Sequence, residues 1–228
     1  MDELVLKNKP KSTTAEEIRV IRTNIEFSLK LKKEKTILIT SSVPREGKSF
    51  ISSNLAISFA QKGLKVLLVD SDLRVGRLHK IFRVSNQKGF SDLLVDDTTK
   101  TYKPYIKPTK IENLFLITRG TVPPNPSELL DSENVQKFIN TVQSKYDIII
   151  FDGTPINGLT DSLVLSKYVD KVAIVSAANY TKANILDNTI RSLKNLNAEI
   201  SGIILNKLPQ AKNVSYYKGY YGKSYTTK

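Results

Sequence analysis

The chain has 228 residues, with 35 Lys and Arg against 22 Asp and Glu, and a formal net charge of +13. It contains no cysteine and a single histidine, His79. A disulfide framework, a thiolate metal site and catalysis by paired histidines are therefore excluded by counting, and acid–base work falls to carboxylates, lysine or tyrosine.

At 40% hydrophobic and 25% charged residues the composition is that of a globular protein, long enough for one sizeable core. The positive charge points to an anionic partner: nucleic acid, an anionic membrane face or an acidic protein. The lysines are scattered, with a short cluster at Lys30, Lys32, Lys33 and Lys35, and scatter of this kind reads as solvated surface. Met1-Asp2-Glu3-Leu4 lacks the order of a signal peptide, and no apolar run approaches the roughly 20 residues that cross a bilayer, so a soluble, cytoplasmic protein is expected.

In chain order, residues 1–11 read as an extended arm. Thr13-Thr14-Ala15-Glu16 reads as a capping box, and Ile18, Ile21, Ile25 and Leu29 follow at helical spacing, predicting a helix over residues 13–31. Strands are predicted at residues 36–40, 66–69, 114–117, 147–151, 172–175 and 203–205, and helices at 48–61, 127–143, 159–168 and 182–196. Residues 76–110 are less regular. Residues 120–126, with Pro123, Pro124 and Pro126, read as a stiff loop. Strands apolar throughout and alternating with helices predict an α/β fold, a parallel sheet covered by helices on both faces. One domain over residues 1–212 is expected. Residues 213–228 form a tail without an aliphatic residue after Val214, rich in tyrosine and expected to be flexible.

Strand 36–40 runs into Ser42-Val43-Pro44-Arg45-Glu46-Gly47-Lys48-Ser49 and then a helix, the order of a P-loop. There, backbone N–H groups and the helix N-terminus face phosphate, Lys48 reaches the β- and γ-phosphates, and the Ser49 hydroxyl serves Mg²⁺. The strict pattern opens with Gly where this chain has Ser42. Strand 66–69 ends in Asp70-Ser71-Asp72 and strand 147–151 in Asp152. Ligands of open parallel sheets bind beyond the carboxyl ends of strands, so the three carboxylates and the P-loop are expected to meet around one Mg²⁺-nucleotide. Each aspartate alone reads more commonly as a turn-former after a strand, a reading that the three together do not favour.

These segments resemble the bacterial tyrosine kinase (BY-kinase) family. Lys35–Asp72 is similar to its Walker A and second Walker motifs, and Tyr146-Asp147-Ile148-Ile149-Ile150-Phe151-Asp152 to its Walker B strand. Glu16-x-x-Arg19-x-x-Arg22-Thr23-Asn24 resembles its subunit-packing helix. Val122-Pro123-Pro124-Asn125-Pro126-Ser127-Glu128-Leu129-Leu130 is close to a family signature, and Gly202-Ile203-Ile204-Leu205-Asn206-Lys207 resembles the strand leading to the adenine pocket. The resemblance spans about residues 9–225.

It implies a P-loop NTPase-like kinase that binds ATP through Arg45, Glu46, Gly47, Lys48, Ser49, Phe50, Asn206 and Lys207. Lys48, Asp70, Asp72 and Asp152 form the catalytic set, and Mg²⁺ is held through Ser49, Asp70 and Asp152. Asp70 is the implied acceptor of the tyrosine proton, with Asp72 supporting the metal site. The acceptors are Tyr216, Tyr217, Tyr220, Tyr221 and Tyr225 in the tail of a neighbouring subunit, within a ring-type homo-oligomer packed through Glu16, Arg19 and Arg22. Further implied are a transmembrane activator that recruits the kinase to the inner face of the membrane, a cognate tyrosine phosphatase and a role in capsular or exopolysaccharide synthesis; no nucleic acid is expected. Departures from the family pattern stand at Arg45, where glycine is usual, at Val75-Gly76, and at Gly153, which is expected to loosen the turn after Asp152. The competing readings are a nucleotide-binding scaffold with little phosphotransfer, and a positioning ATPase, which usually has a lysine early in the P-loop where residues 41–46 have none.

Overall fold

The computed structural model describes residues 3–29, 33–96 and 101–209. Its elements are α1 (Val5–Asn8), α2 (Thr13–Ser28), β1 (Thr36–Ser41), α3 (Lys48–Gln61), β2 (Val66–Asp70), α4 (Leu78–Phe82), α5 (Phe90–Val95), β3 (Lys107–Pro108), β4 (Leu114–Ile117), α6 (Pro126–Leu130), α7 (Glu133–Gln143), β5 (Ile148–Pro155), α8 (Asp161–Leu165), β6 (Lys171–Ala177), α9 (Ala183–Asn195) and β7 (Ile200–Asn206). The sheet order is β3-β4-β2-β5-β1-β6-β7, parallel throughout except for the short antiparallel β3.

Why the strands are apolar at every position follows from the two faces. Side chains alternate across a strand, so a sheet covered on both sides must be apolar at odd and even positions alike. Ile37 and Ile39 of β1, Leu68 of β2, Ile150 of β5 and Val175 of β6 join the core under α2 and α3. Leu38, Leu67, Ile149, Phe151 and Ile174 join the opposite core, with Phe138 of α7 and Leu193 of α9. The expected α/β architecture is thus the observed one.

Several boundaries differ from expectation. The supposed extended arm contains α1, because Leu4 and Leu6 are buried against α3 and the Leu6 N–H donates to Asn54 Oδ1 at 3.2 Å. The N-cap of α2 is Ser12, whose Oγ accepts from Ala15 N at 3.2 Å, one residue before the predicted box. The helix expected over 127–143 breaks at Asp131-Ser132 into α6 and α7. Pro126 opens α6 at its first position, where its missing N–H costs nothing. The helix expected over 159–168 is regular only over α8.

The β5 strand continues through Asp152 to Pro155, its carboxyl end paired with Ser41 of β1, so Gly153 does not loosen the chain there. A methyl group at Gly153 would stand 2.5 Å from Ser162 Oγ and 2.7 Å from Leu38 Cδ1. Close packing of α8 and β1 over the main chain explains the glycine. Gly153→Ala is expected to lower unfolding stability by about 1–3 kcal/mol, the usual cost of overpacking, read as a lower urea midpoint with an unchanged slope.

Candidate functional site

The carboxyl ends of β1, β2, β5 and β6 form one edge, and the loop from β1 to α3 lies over it. The hydrogen bonds of that loop decide what it can bind. All its carbonyls but that of Pro44 are taken up: Ser41 O by Ile156 N (2.9 Å), Ser42 O by Asn157 N (2.9 Å), Val43 O by Ser41 Oγ (2.8 Å), Arg45 O by Lys207 Nζ (2.7 Å), Glu46 O by Asn206 Nδ2 (2.8 Å) and Gly47 O by Ile51 N (3.0 Å). No acceptor among the described residues takes the N–H groups of Gly47, Lys48 or Ser49. Carbonyls tied off and amides left open at a helix N-terminus make an anion cradle.

The loop keeps this shape through side chains. Glu46 is fully buried. Its Oε2 accepts from Val43 N at 2.8 Å, and its Oε1 accepts from Ala177 N at 3.0 Å and bonds the Thr181 hydroxyl. Glu46 was expected at the nucleotide, but its carboxylate is spent on bracing the loop against the end of β6. Asn206 and Lys207 likewise grip the loop's carbonyls. Gly47 has φ 102°, and a side chain there would run into the Asn206 amide. Arg45 occupies the left-handed region at φ 65°, at a cost of roughly 1–2 kcal/mol that glycine would avoid. The Phe50 side chain packs against the α2–α3 core. Ser42, at the motif's opening position, is fully buried with its Oγ unpartnered.

Lys48 is buried, and desolvation lowers its pKa against the opposing attraction of Asp152, Asp72 and Glu46. Asp152 follows the apolar run of β5 and pairs in register with Asp70 of β2. Burial pushes the Asp152 carboxyl up to about 6, while hydrogen bonding by Ser49 and Ser52 and the charge of Lys48 pull the other way. Asp70 is raised well above its ordinary value, first by burial and then by Asp152, with the Leu78 N–H and Arg119 opposing. One oxygen of each carboxylate, Asp70 Oδ1 and Asp152 Oδ1, is buried without a partner.

Segment 73–78 covers Asp70. Leu78 N donates to Asp70 Oδ2 at 2.9 Å, and a methyl group at Gly76 would press against Oδ1. Asp72 Oδ1 accepts from Val75 N at 2.8 Å and Arg74 N at 3.2 Å. The segment is fastened by a bidentate bridge from Arg74 to buried Asp161, at 2.7 and 3.0 Å, and by Arg119 Nη1 donating to Arg74 O at 3.2 Å. Sequence reading missed this bridge, since nothing near either residue marks the other.

Among the described residues, no three His, Asp or Glu side chains converge into a metal cage. The orphaned Asp152 oxygen beside Ser49 nonetheless fits Mg²⁺, which keeps waters and phosphate oxygens in its shell and needs few protein ligands.

Of the expected interface residues, Glu16 and Arg19 pair with each other at 2.9 Å on the exposed face of α2. Arg22 folds onto its own chain, donating to Ser58 O at 3.2 Å. His79 is an ordinary partly buried side chain whose pKa is lowered by burial, Arg119 and Lys80. The tail tyrosines Tyr216, Tyr217, Tyr220, Tyr221 and Tyr225, and Lys30 and Lys32, lie outside the described residues.

A parallel sheet with an amide-lined loop at its carboxyl edge defines a P-loop nucleotide-binding protein. A family model described as an AAA domain matches residues 34–204. The CapB protein of Staphylococcus aureus is 40% identical over 96% of this chain and 95% of its own, and the tyrosine-protein kinase YwqD of Bacillus subtilis (strain 168) 34% identical over 96% and 91%. Among solved structures, the chimerical protein CapA2B2 superposes with a TM-score of 0.86 at 35% identity, covering 92% of each chain. The kinase domain of Escherichia coli tyrosine kinase ETK gives 0.87 at 30% identity, covering 93% of this chain and 83% of that one. The chain belongs to the bacterial tyrosine kinase family.

Glu46→Ala removes the brace and deprives Val43 N and the buried Ala177 N of their acceptor. ATP affinity is expected to fall by about tenfold or more, a loss of at least ~1.4 kcal/mol, measured by titration calorimetry, with the circular dichroism spectrum retained.

Proposed function

We propose that the chain is an ATP-dependent protein-tyrosine autokinase that regulates capsular or exopolysaccharide synthesis by phosphorylating tail tyrosines of neighbouring subunits. The observation that carries this reading is the open amide cradle at Gly47–Ser49 beside buried Lys48 and Asp152, in a chain aligned over nearly its whole length with tyrosine-protein kinases.

The amides of Gly47, Lys48 and Ser49 receive the phosphates of ATP, with Lys48 placing its charge at the transferring group. Ser49 and Asp152 hold Mg²⁺, and Asp70 stands beside Asp152 as a further contact. The ion, when bound, neutralises phosphate charge. Asp70 takes the phenolic proton of the incoming tyrosine once segment 73–78 has lifted from it; Asp72, at the mouth of that segment, shapes the approach. Asn206 and Lys207 act by holding the loop. The acceptors are Tyr216, Tyr217, Tyr220, Tyr221 and Tyr225, and residues 213–228 serve as a substrate arm appended to a single catalytic domain.

Subunits pack as a ring through the exposed Glu16–Arg19 face of α2. No helix among the described residues is long and apolar enough to cross a membrane. The kinase is brought to the inner face of the membrane by a separate transmembrane activator and reset by a tyrosine phosphatase. Phosphate adds about −1.5 to −2 charges per tyrosine, enough to reverse the sign of a lysine-bearing tail and loosen the ring.

The test is Mg²⁺- and ATP-dependent phosphotyrosine on the full chain joined to the cytoplasmic segment of its activator. Lys48→Met is expected to abolish the signal, Asp70→Asn to reduce it by at least about 100-fold with ATP binding kept, and Phe at the five tail positions to remove most of it. Intact ATP binding without phosphotyrosine in the parent chain would instead establish a nucleotide-binding scaffold.

A further inference from the structure

An autokinase acts on whatever tyrosine hydroxyl of a neighbouring copy reaches its cleft, so an exposed tyrosine of the folded body is a candidate acceptor beside those of the tail. Among the described residues Tyr102, Tyr105 and Tyr146 are at most 9% exposed, and Tyr168 donates its hydroxyl to Asp131. Tyr180 differs from all of them. It is 54% exposed on the turn that leaves the carboxyl end of β6, immediately before α9. We propose that Tyr180 is a further phosphoacceptor of this chain, modified in trans by a neighbouring copy; the inference rests on the kinase reading above.

Three features of the turn suit it to this role. First, it projects its ring on a fixed backbone, since Tyr180 N donates to Ala177 O at 3.2 Å and the next residue, Thr181, is bonded to buried Glu46. The hydroxyl is thus presented without the ordering cost of a loose segment. Second, the surroundings favour the product. Lys207 Nζ stands 5.6 Å from the ring centroid, Lys182 is exposed two residues along the chain, and the first turn of α9 contains no acidic residue. A phosphate there meets cations and no carboxylate from the first turn of that helix. Third, the position is wired to the nucleotide loop. The same Lys207 that faces the ring donates to Arg45 O at 2.7 Å, where Arg45 holds its left-handed conformation.

The chemistry balances with the co-reactant the autokinase already uses. The Tyr180 oxygen forms a bond to the γ-phosphorus of ATP in the neighbouring copy. The bond from that phosphorus to the β–γ bridging oxygen breaks, ADP leaves with the electron pair, and the phenolic proton passes to the carboxylate base of that copy. On the modified chain, a dianionic group beside Lys207 competes with the Arg45 carbonyl for its ammonium. Phosphorylation at Tyr180 thereby slackens one of the ties that hold the chain's own phosphate loop, a feedback from acceptor to cleft.

The test uses the full chain joined to the cytoplasmic segment of its activator, incubated with radiolabelled ATP and Mg²⁺ and mapped by tryptic digestion. The peptide of residues 172–182 has Tyr180 as its only tyrosine. Label is expected in that peptide in the parent chain and in the variant with Phe at the five tail positions. It should disappear when Tyr180→Phe is added, a change that keeps the ring over Lys207 and the fold. A labelled tail with no label in residues 172–182 overturns the inference and leaves the kinase reading standing. A parent chain with no label at all overturns both.

Discussion

A loop that is to hold an anion must leave the N–H groups that face the anion free of its own carbonyls. This constraint organises the site. In this chain the buried Glu46 carboxylate takes the place of the missing internal bonds, tying Val43 within the loop to Ala177 and Thr181 at the end of β6. Asn206 and Lys207 add two grips on loop carbonyls from the end of β7. The cradle is therefore a product of three neighbouring strands, β1, β6 and β7, and only secondarily of the P-loop itself. A carboxylate is costly to bury unpaired, and here backbone N–H donors and a hydroxyl satisfy it.

The other half of the site depends on the register of two parallel strands. Asp70 and Asp152 are Cα partners on β2 and β5, so two carboxylates face the same small volume at the strands' ends. Burial raises both, and the charge of Asp152 raises Asp70 further. Lys48 sits across from them, itself desolvated. The arrangement leaves unsatisfied oxygens around a place where a phosphate-bound cation would be welcome, while segment 73–78, pinned by Arg74 to Asp161, limits access to Asp70.

Much of this was legible because it is local. The P-loop, the strand ends that contain Asp70 and Asp152, and the two-faced sheet all follow from runs of fewer than about ten residues with a known period or a known turn. What escaped was non-local. Glu46 looked like a phosphate-loop residue, and only its partners 131 and 135 positions away reveal a brace. Gly153 looked like a loosened turn, yet it is a strand position pressed by Ser162 and Leu38. Arg22 looked equivalent to Arg19 on one helix side, but packing of α2 on α3 turns it to Ser58. The α1 turn was invisible because a four-residue helix has no readable period; two leucines and a side chain on a distant helix create it.

The seat of α1 has a practical meaning for anyone attaching another polypeptide to the front of this chain. Asn54, fully buried in the phosphate-loop helix, donates to Glu3 O at 2.7 Å and accepts from Leu6 N, and Glu3 is also paired with Arg77 in the segment over Asp70. Traction on the first few residues is thus transmitted both to α3 and to the cover of the carboxylate pair. A graft ahead of Glu3 with too short a spacer acts as a lever on the site, whereas a generous hydrophilic spacer leaves the anchor seated and the two halves mechanically independent.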